Sequence, residues 1–254
     1  MAIPMHDAGG ALSALRRALQ PGEEAKALAR FASEPMQKRA MEQFRKAVEK
    51  APDIRTALRD PRVLQVVTTA LGLPEGASQP GLAIQALLSD PSESRSLVNR
   101  LADKRWKAAA EALQLGTKGI AALRDPKVQS TLAEGLLRAR WKDELETRQA
   151  GLGDAVIFQE RASAVGGNVY TVLGDPLLRR VITGALGLPE AMAVQPVETQ
   201  ARALQTRLKL DKLDNPKEVQ RLAERYLMNR AMQDSAANSG GPLALLGWRL
   251  RLSV

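Results

Sequence analysis

Apolar residues recur every three or four positions through most of this chain, and short polar signals cut the pattern into helix-sized pieces. The clearest piece is Leu173–Glu190, LGDPLLRRVITGALGLPE, with a near copy at Leu58–Glu75, LRDPRVLQVVTTALGLPE. In each, an Asp suited to capping precedes a Pro suited to the first turn, and a Gly followed by Leu-Pro ends the run. Between them, Val63, Val66, Val67, Ala70 and Leu71 are matched by Leu178, Val181, Ile182, Ala185 and Leu186, one apolar stripe along each helix. Asp60 and Asp175 lie 115 positions apart, and the terminating glycines keep that offset, which predicts an internal duplication. Leu73 and Leu188, just past the glycines, are expected to fold back and be buried.

The rest of the chain reads as helices joined by turns. Residues 1–22 form a flexible leader, with Leu12, Leu15 and Leu19 able to make a short amphipathic helix. A helical body spans 23–232 and holds two related halves, about 50–115 and 165–232, bridged by a long helix over Pro126–Arg148. Asp60, Asp90, Asp125, Asp175 and Asn215 each precede a proline and are read as structural helix caps. The helix opened by Asp90-Pro91 is predicted to run to about Leu113, although Trp106 sits one position off its apolar stripe. The second half repeats the first with longer loops. Asn215-Pro216 answers Asp90-Pro91 only after about nine extra residues, assigned to Lys209–Leu213, because loops absorb insertions cheaply. Residues 233–242 read as a linker. The 243–254 tail alternates apolar and polar residues at a strand-like period of two.

Composition narrows the chemistry. The 254 residues carry 44% hydrophobic but only 3% aromatic residues, so Leu and Ala must do most of the packing. There is no cysteine and a single histidine, His6. Zinc-ligand clusters, thiol nucleophiles and Ser-His-Asp arrangements therefore lack their residue types, and no phosphate-loop or dinucleotide glycine motif occurs. No cofactor is expected, and no catalytic residue or metal ligand is assigned. No cleft is expected to gather a carboxylate pair poised for acid–base work, and Glu160-Arg161, adjacent on a helix, reads as a solvated pair. The net charge of +9 draws the chain toward anionic partners. That charge is spread out, with no block of five like charges, which favours an acidic protein over nucleic acid. No apolar run reaches the roughly 20 residues of a transmembrane helix, and MAIPMHDAGG lacks the features of a secretory signal.

Several segments together resemble the family catalogued as domain of unknown function 1217, found mostly in alphaproteobacteria and often encoded near flagellar genes. They are Val66–Glu75 (VVTTALGLPE), Asn99–Trp106 (NRLADKRW), Phe158–Ala162 (FQERA), Tyr170–Pro176 (YTVLGDP), Ile182–Glu190 (ITGALGLPE) and Leu204–Leu210 (LQTRLKL), within about residues 30–230. Gln159 interrupts the Phe-Glu-Arg order of that family, so no task passes to Glu160 or Arg161. The resemblance implies an all-α fold and a tie to the flagellum; it supplies no catalytic residues.

Two functions are expected from this reading. One is a non-catalytic structural or assembly protein of the flagellum, placed there or in the periplasm by signal-less export. The other is a cytoplasmic adaptor or chaperone-like module that takes an acidic protein partner, with nucleic-acid binding behind both. The tail residues Trp248, Arg249, Leu250, Arg251, Leu252 and Val254 are candidate interaction residues, for a flagellar component or for self-association. A groove of the chain's own body is the competing place for them.

Overall fold

A computed structural model describes residues 8–239, and among these every regular element is helical, with no strand. In chain order the α-helices are α1 (Ala8–Ala18), α2 (Glu23–Ala32), α3 (Pro35–Lys50), α4 (Ile54–Arg59), α5 (Pro61–Ala70) and α6 (Pro80–Leu87). Three short helices and α8 follow: α7 (Leu97–Arg100), α8 (Arg105–Leu113), α9 (Leu115–Lys118) and α10 (Ile120–Arg124). The long α11 (Pro126–Arg148) precedes α12 (Leu152–Arg161), α13 (Val169–Gly174), α14 (Pro176–Ala185), α15 (Val197–Arg207) and α16 (Pro216–Ser239). Leader residue His6 and the tail residues Trp248, Arg249, Leu250, Arg251, Leu252 and Val254 lie outside the described residues.

The chain divides into two compact units. The first comprises residues 21–144 and 168–179. Its core is aliphatic, as the scarcity of aromatic residues requires: Val63, Val67, Leu58, Leu73, Leu87, Leu123 and Leu132 are fully buried around Phe44 and Trp106. Here α5 packs against α3 and α4, and α6 against α8. The second unit comprises 1–20, 145–167 and 180–254, described from residue 8 to residue 239. In it α1, α12 and α16 pack on one another. Residues 8–18, read from the sequence as part of a leader, thus bury Ala11 and Leu15 against that helix pair. Residues 233–239, read as linker, continue α16.

The two similar stretches at Asp60 and Asp175 share the geometry of their helix starts and ends. Asp60 accepts a hydrogen bond from the Arg62 N–H at 2.9 Å, and Asp175 from the Leu177 N–H at 2.8 Å, each at the start of a ten-residue helix with Pro in its first turn. Gly72 and Gly187 adopt φ of 71° and 65°, the left-handed turn that glycine enters without a Cβ clash. The Leu73 N–H then reaches the Thr68 carbonyl at 2.8 Å and the Leu188 N–H the Thr183 carbonyl at 2.9 Å, satisfying helix-end carbonyls in the same way. Leu73 is buried, but Leu188 is only half-buried.

The predicted helix from Asp90 to Leu113 does not form, and Asp90 is not a helix cap. Its carboxylate instead accepts from the Ser92 N–H at 2.8 Å and the Ser92 hydroxyl at 2.7 Å, closing a tight turn. The serines of Ser92–Ser96 offer the backbone such local alternatives to helix. Asn99 then pins the loop by donating to the carbonyls of Pro91 and Glu93 at 2.9 and 2.8 Å. After the single turn of α7, a new helix begins at Arg105, so Trp106 belongs to a fresh register and is buried, which accounts for its offset from the stripe. Asp125 accepts from Lys127 N–H and Asn215 from Lys217 N–H at the starts of α11 and α16, contacts worth about 1 kcal/mol each.

Candidate functional site

Three charged constellations stand out, one in the first unit and two in the second. The first centres on Arg105, whose side chain is only 14% exposed. Its Nε donates to Asp103 Oδ1 at 3.0 Å and its Nη2 to Asp103 Oδ2 at 2.7 Å, while Nη1 reaches the Gly72 carbonyl at 2.6 Å and Nη2 also bonds Glu75. Asp175 Oδ2 lies 3.7 Å from Nε, while its Oδ1 caps α14. Burial pulls the guanidinium down more than any other single influence, but hydrogen bonding to Asp103 and the charges of Asp175, Asp103 and Glu75 together hold it above its ordinary value. Three of the segments singled out in the sequence therefore meet at one side chain: Gly72 and Glu75 from the first Gly-Leu-Pro-Glu, Asp103 and Arg105 from the Asp-Lys-Arg-Trp run, and Asp175 from Leu-Gly-Asp-Pro. The cluster was not assigned from the sequence. Its one visible signal was the Asp103–Arg105 spacing beside an aromatic residue.

The second constellation pairs Asp154, at the start of α12 and buried, with Arg180 Nε at 2.5 Å. Tyr226 of α16 stands beside them, its ring backed by Gly151 and Gly184, where an added Cβ would come within 2.9 and 2.7 Å of ring carbons. Burial, with the charge of Asp154 adding and that of Arg180 opposing, pushes the Tyr226 phenol up to about 12. A raised folded value means that the stabilising contribution is complete below the unfolded value of about 10 and is lost as pH climbs toward 12. In an alkaline titration followed by phenolate absorbance, one component should therefore rise near pH 12 and vanish in Tyr226→Phe. A variant whose titration curve lacked only an earlier component would show that Tyr226 is not the late phenol. Nearby in sequence, Phe158 is buried and Glu160 exposed.

The third constellation is a groove of about 530 Å³ in the second unit. Leu208 and Leu222 are buried in its floor, with half-buried Leu186 beside them. Around these stand Arg207, Lys209, Lys212, Arg221 and Arg225, all exposed, against the single carboxylate of Glu218. Glu218 is taken by Arg221 at 2.6 Å, and Arg207 bonds the Ala203 carbonyl at 3.2 Å. Lys209, Lys212 and Arg225 form no ion pair with another described residue. Two of these cations come from the Lys209–Leu213 stretch, which the sequence marked as having no counterpart in the first copy. Gln205–Leu208, also in the groove wall, belong to the Leu204–Leu210 segment quoted for the family resemblance.

No group of three or more His, Asp or Glu side chains among the described residues is placed to hold a metal ion. No helix of the described residues is long and apolar enough to cross a membrane.

Comparison with known proteins fits this architecture. No curated protein matches the chain. The crystal structure of protein AGR_C_984 from Agrobacterium tumefaciens superposes with a TM-score of 0.71 over 92% of this chain and 98% of that one, at 22% identity, so the fold is shared. The profile of the family described as Protein of unknown function (DUF1217) matches residues 79–219, a narrower span than about 30–230, and takes in the Asn99–Trp106, Phe158–Ala162, Tyr170–Pro176, Ile182–Glu190 and Leu204–Leu210 segments. On that match over more than half its length, the chain belongs to the DUF1217 family.

Proposed function

We propose that this protein is non-catalytic and works by holding other proteins, as a structural or assembly component associated with the flagellum. The observation that carries the reading is how the carboxylates of the two charged clusters are used. Asp103, Glu75 and Asp175 converge on Arg105, and Asp154 is bound to Arg180. A carboxylate in hydrogen-bonded contact with a guanidinium is poorly suited to exchange protons with a substrate, because each transfer would break a charge-assisted bond. The charged groups left accessible form a surface for contact. The flagellar placement is supported by the resemblance described above, and the cationic groove equally favours an adaptor that takes an acidic partner in the cytoplasm. An ancestral duplication is part of the same reading. It is supported by the cap, the first-turn proline, the ten-residue helix and the glycine-terminated end that recur at Asp60 and Asp175.

Affinity isolation of the full-length protein from flagellar, envelope and soluble fractions, with the captured proteins identified by mass spectrometry, tests the reading. A flagellar component retained in proportion to its abundance in the flagellar fraction is the expected result. A partner confined to the soluble fraction would move the protein to the adaptor role. Turnover of a small molecule by the purified chain, abolished by Asp154→Asn at unchanged stability, would replace both by an enzyme.

A further inference from the structure

We propose, building on the protein-binding reading above, that the cationic groove of the second unit is the docking site for an acidic segment of a partner protein, its Asp and Glu side chains meeting the rim and one apolar side chain seated on the leucine floor. Five cations against one carboxylate repel one another, and an anionic segment relieves that repulsion as it binds. The floor selects among anions. A free phosphate would leave Leu186, Leu208 and Leu222 without a partner, whereas a peptide carries its own apolar side chain among its charges. Nucleic acid is disfavoured because no aromatic side chain lines the groove, and single strands gain much of their affinity by stacking bases on aromatic rings.

The rim is also held in place. Lys209 precedes, and Lys212 lies within, a short 3₁₀ turn, Leu210–Asp214, whose Leu210 and Leu213 are buried. Those two leucines fix the turn, and Lys209 just before it and Lys212 within it are exposed, so the cations are positioned before a partner arrives. The chain's own tail does not fit by charge, since residues 243–254 contain Arg249 and Arg251 and no acidic side chain.

The test uses the full chain and a fluorescein-labelled peptide of glutamates around one central leucine, with binding read by fluorescence anisotropy. Labelled oligothymidylate is the competing probe. Wild type should bind the peptide with an affinity that falls as salt rises, and Lys209→Glu/Lys212→Glu should weaken it about tenfold or more. Arg16→Glu/Arg17→Glu, an equal charge change at exposed positions of α1, should alter it by less than about twofold. Replacing the central leucine of the peptide by serine should also weaken binding, which a purely electrostatic association would not show. Arg225→Gln serves as a second groove variant, should the double reversal melt earlier than wild type. Equal losses in the groove and α1 variants would overturn the proposal in favour of net charge alone. Tighter binding of oligothymidylate, lost in the groove variant, would overturn it in favour of nucleic acid, and no binding of the peptide at low salt would end it outright. A protein captured equally by wild type and Lys209→Glu/Lys212→Glu would sink the groove assignment while leaving the protein-binding reading intact. Capture of none by wild type would sink that reading itself.

Discussion

Arg105→Ala should cost the first unit about 3 kcal/mol, the lower end of what removing one partner of a buried ion pair costs. For a chain of this size the loss corresponds to a fall in melting temperature of roughly 6–12 °C. The sign comes from what stays behind. Asp103, Glu75 and Asp175 would face one another with no cation between them, and the Gly72 carbonyl would lose its donor. Arg105→Lys should fall between, losing about 1–2 kcal/mol, because one ammonium retains the charge but cannot reach Asp103, Glu75 and Gly72 at once. In the Arg105→Ala background, Asp103→Asn should be less damaging than alone, with a coupling of about 1–3 kcal/mol. Denaturant melts of the four proteins at a common m-value supply the cycle. A loss below about 1 kcal/mol for Arg105→Ala would place the cluster with ordinary surface pairs and remove it as an organising centre of the fold.

That centre was hidden in the sequence although every member of it was quoted there. Helix periodicity finds residues that share a face, and it found the stripes of α5 and α14 because burial follows spacing within one element. Arg105 takes its partners from positions 72, 75, 103 and 175, and no local period connects those. Within its own neighbourhood, the Asp103–Arg105 spacing carries no sign of burial. The off-stripe Trp106 was the usable clue, since a large apolar residue that breaks a helical period signals that the helix itself has broken. Had that clue outweighed the proline after Asp90, the serine-rich 92–96 stretch would have been read as the turn it forms. The cationic groove shows the same division. The Lys209–Leu213 stretch drew notice only through an offset that assumed a helix opening at Asp90, and that helix does not form. Its convergence with Arg221 and Arg225 of α16 depends on chain packing that spacing alone does not encode. The terminal prolines and glycines were legible because their backbone constraints are local.

Gly135→Ala sets two known effects against each other, and their magnitudes decide the outcome. Gly135 lies in the middle of α11, where alanine is intrinsically favoured by about 1 kcal/mol. Propensity alone therefore predicts a more stable protein. A Cβ at this position would, however, stand 2.2 Å from the Ala70 carbonyl oxygen and 2.8 Å from its carbon, at the end of α5. Those are backbone atoms, so no rotamer change clears them, and one helix must move away from the other. Overpacking of this kind typically costs 1–3 kcal/mol and sometimes more, and contact this close with backbone belongs at the upper end, leaving a net loss of about 2 kcal/mol. Gly81→Ala in α6, where an added Cβ meets nothing within 4 Å, should be neutral or gain up to about 1 kcal/mol. The comparison separates packing from propensity. If Gly135→Ala and Gly81→Ala stabilised alike, the close approach of α11 to the end of α5 would be wrong. Gly174→Ala extends the test, because its Cβ would lie 2.4 Å from the Ala102 carbonyl oxygen and displace the residue directly before Asp175. It should therefore disturb the Arg105 cluster as well as the packing. Combined with Arg105→Ala, its cost should be smaller than the sum of the two single losses, since the ion contact that Gly174→Ala disrupts is already gone.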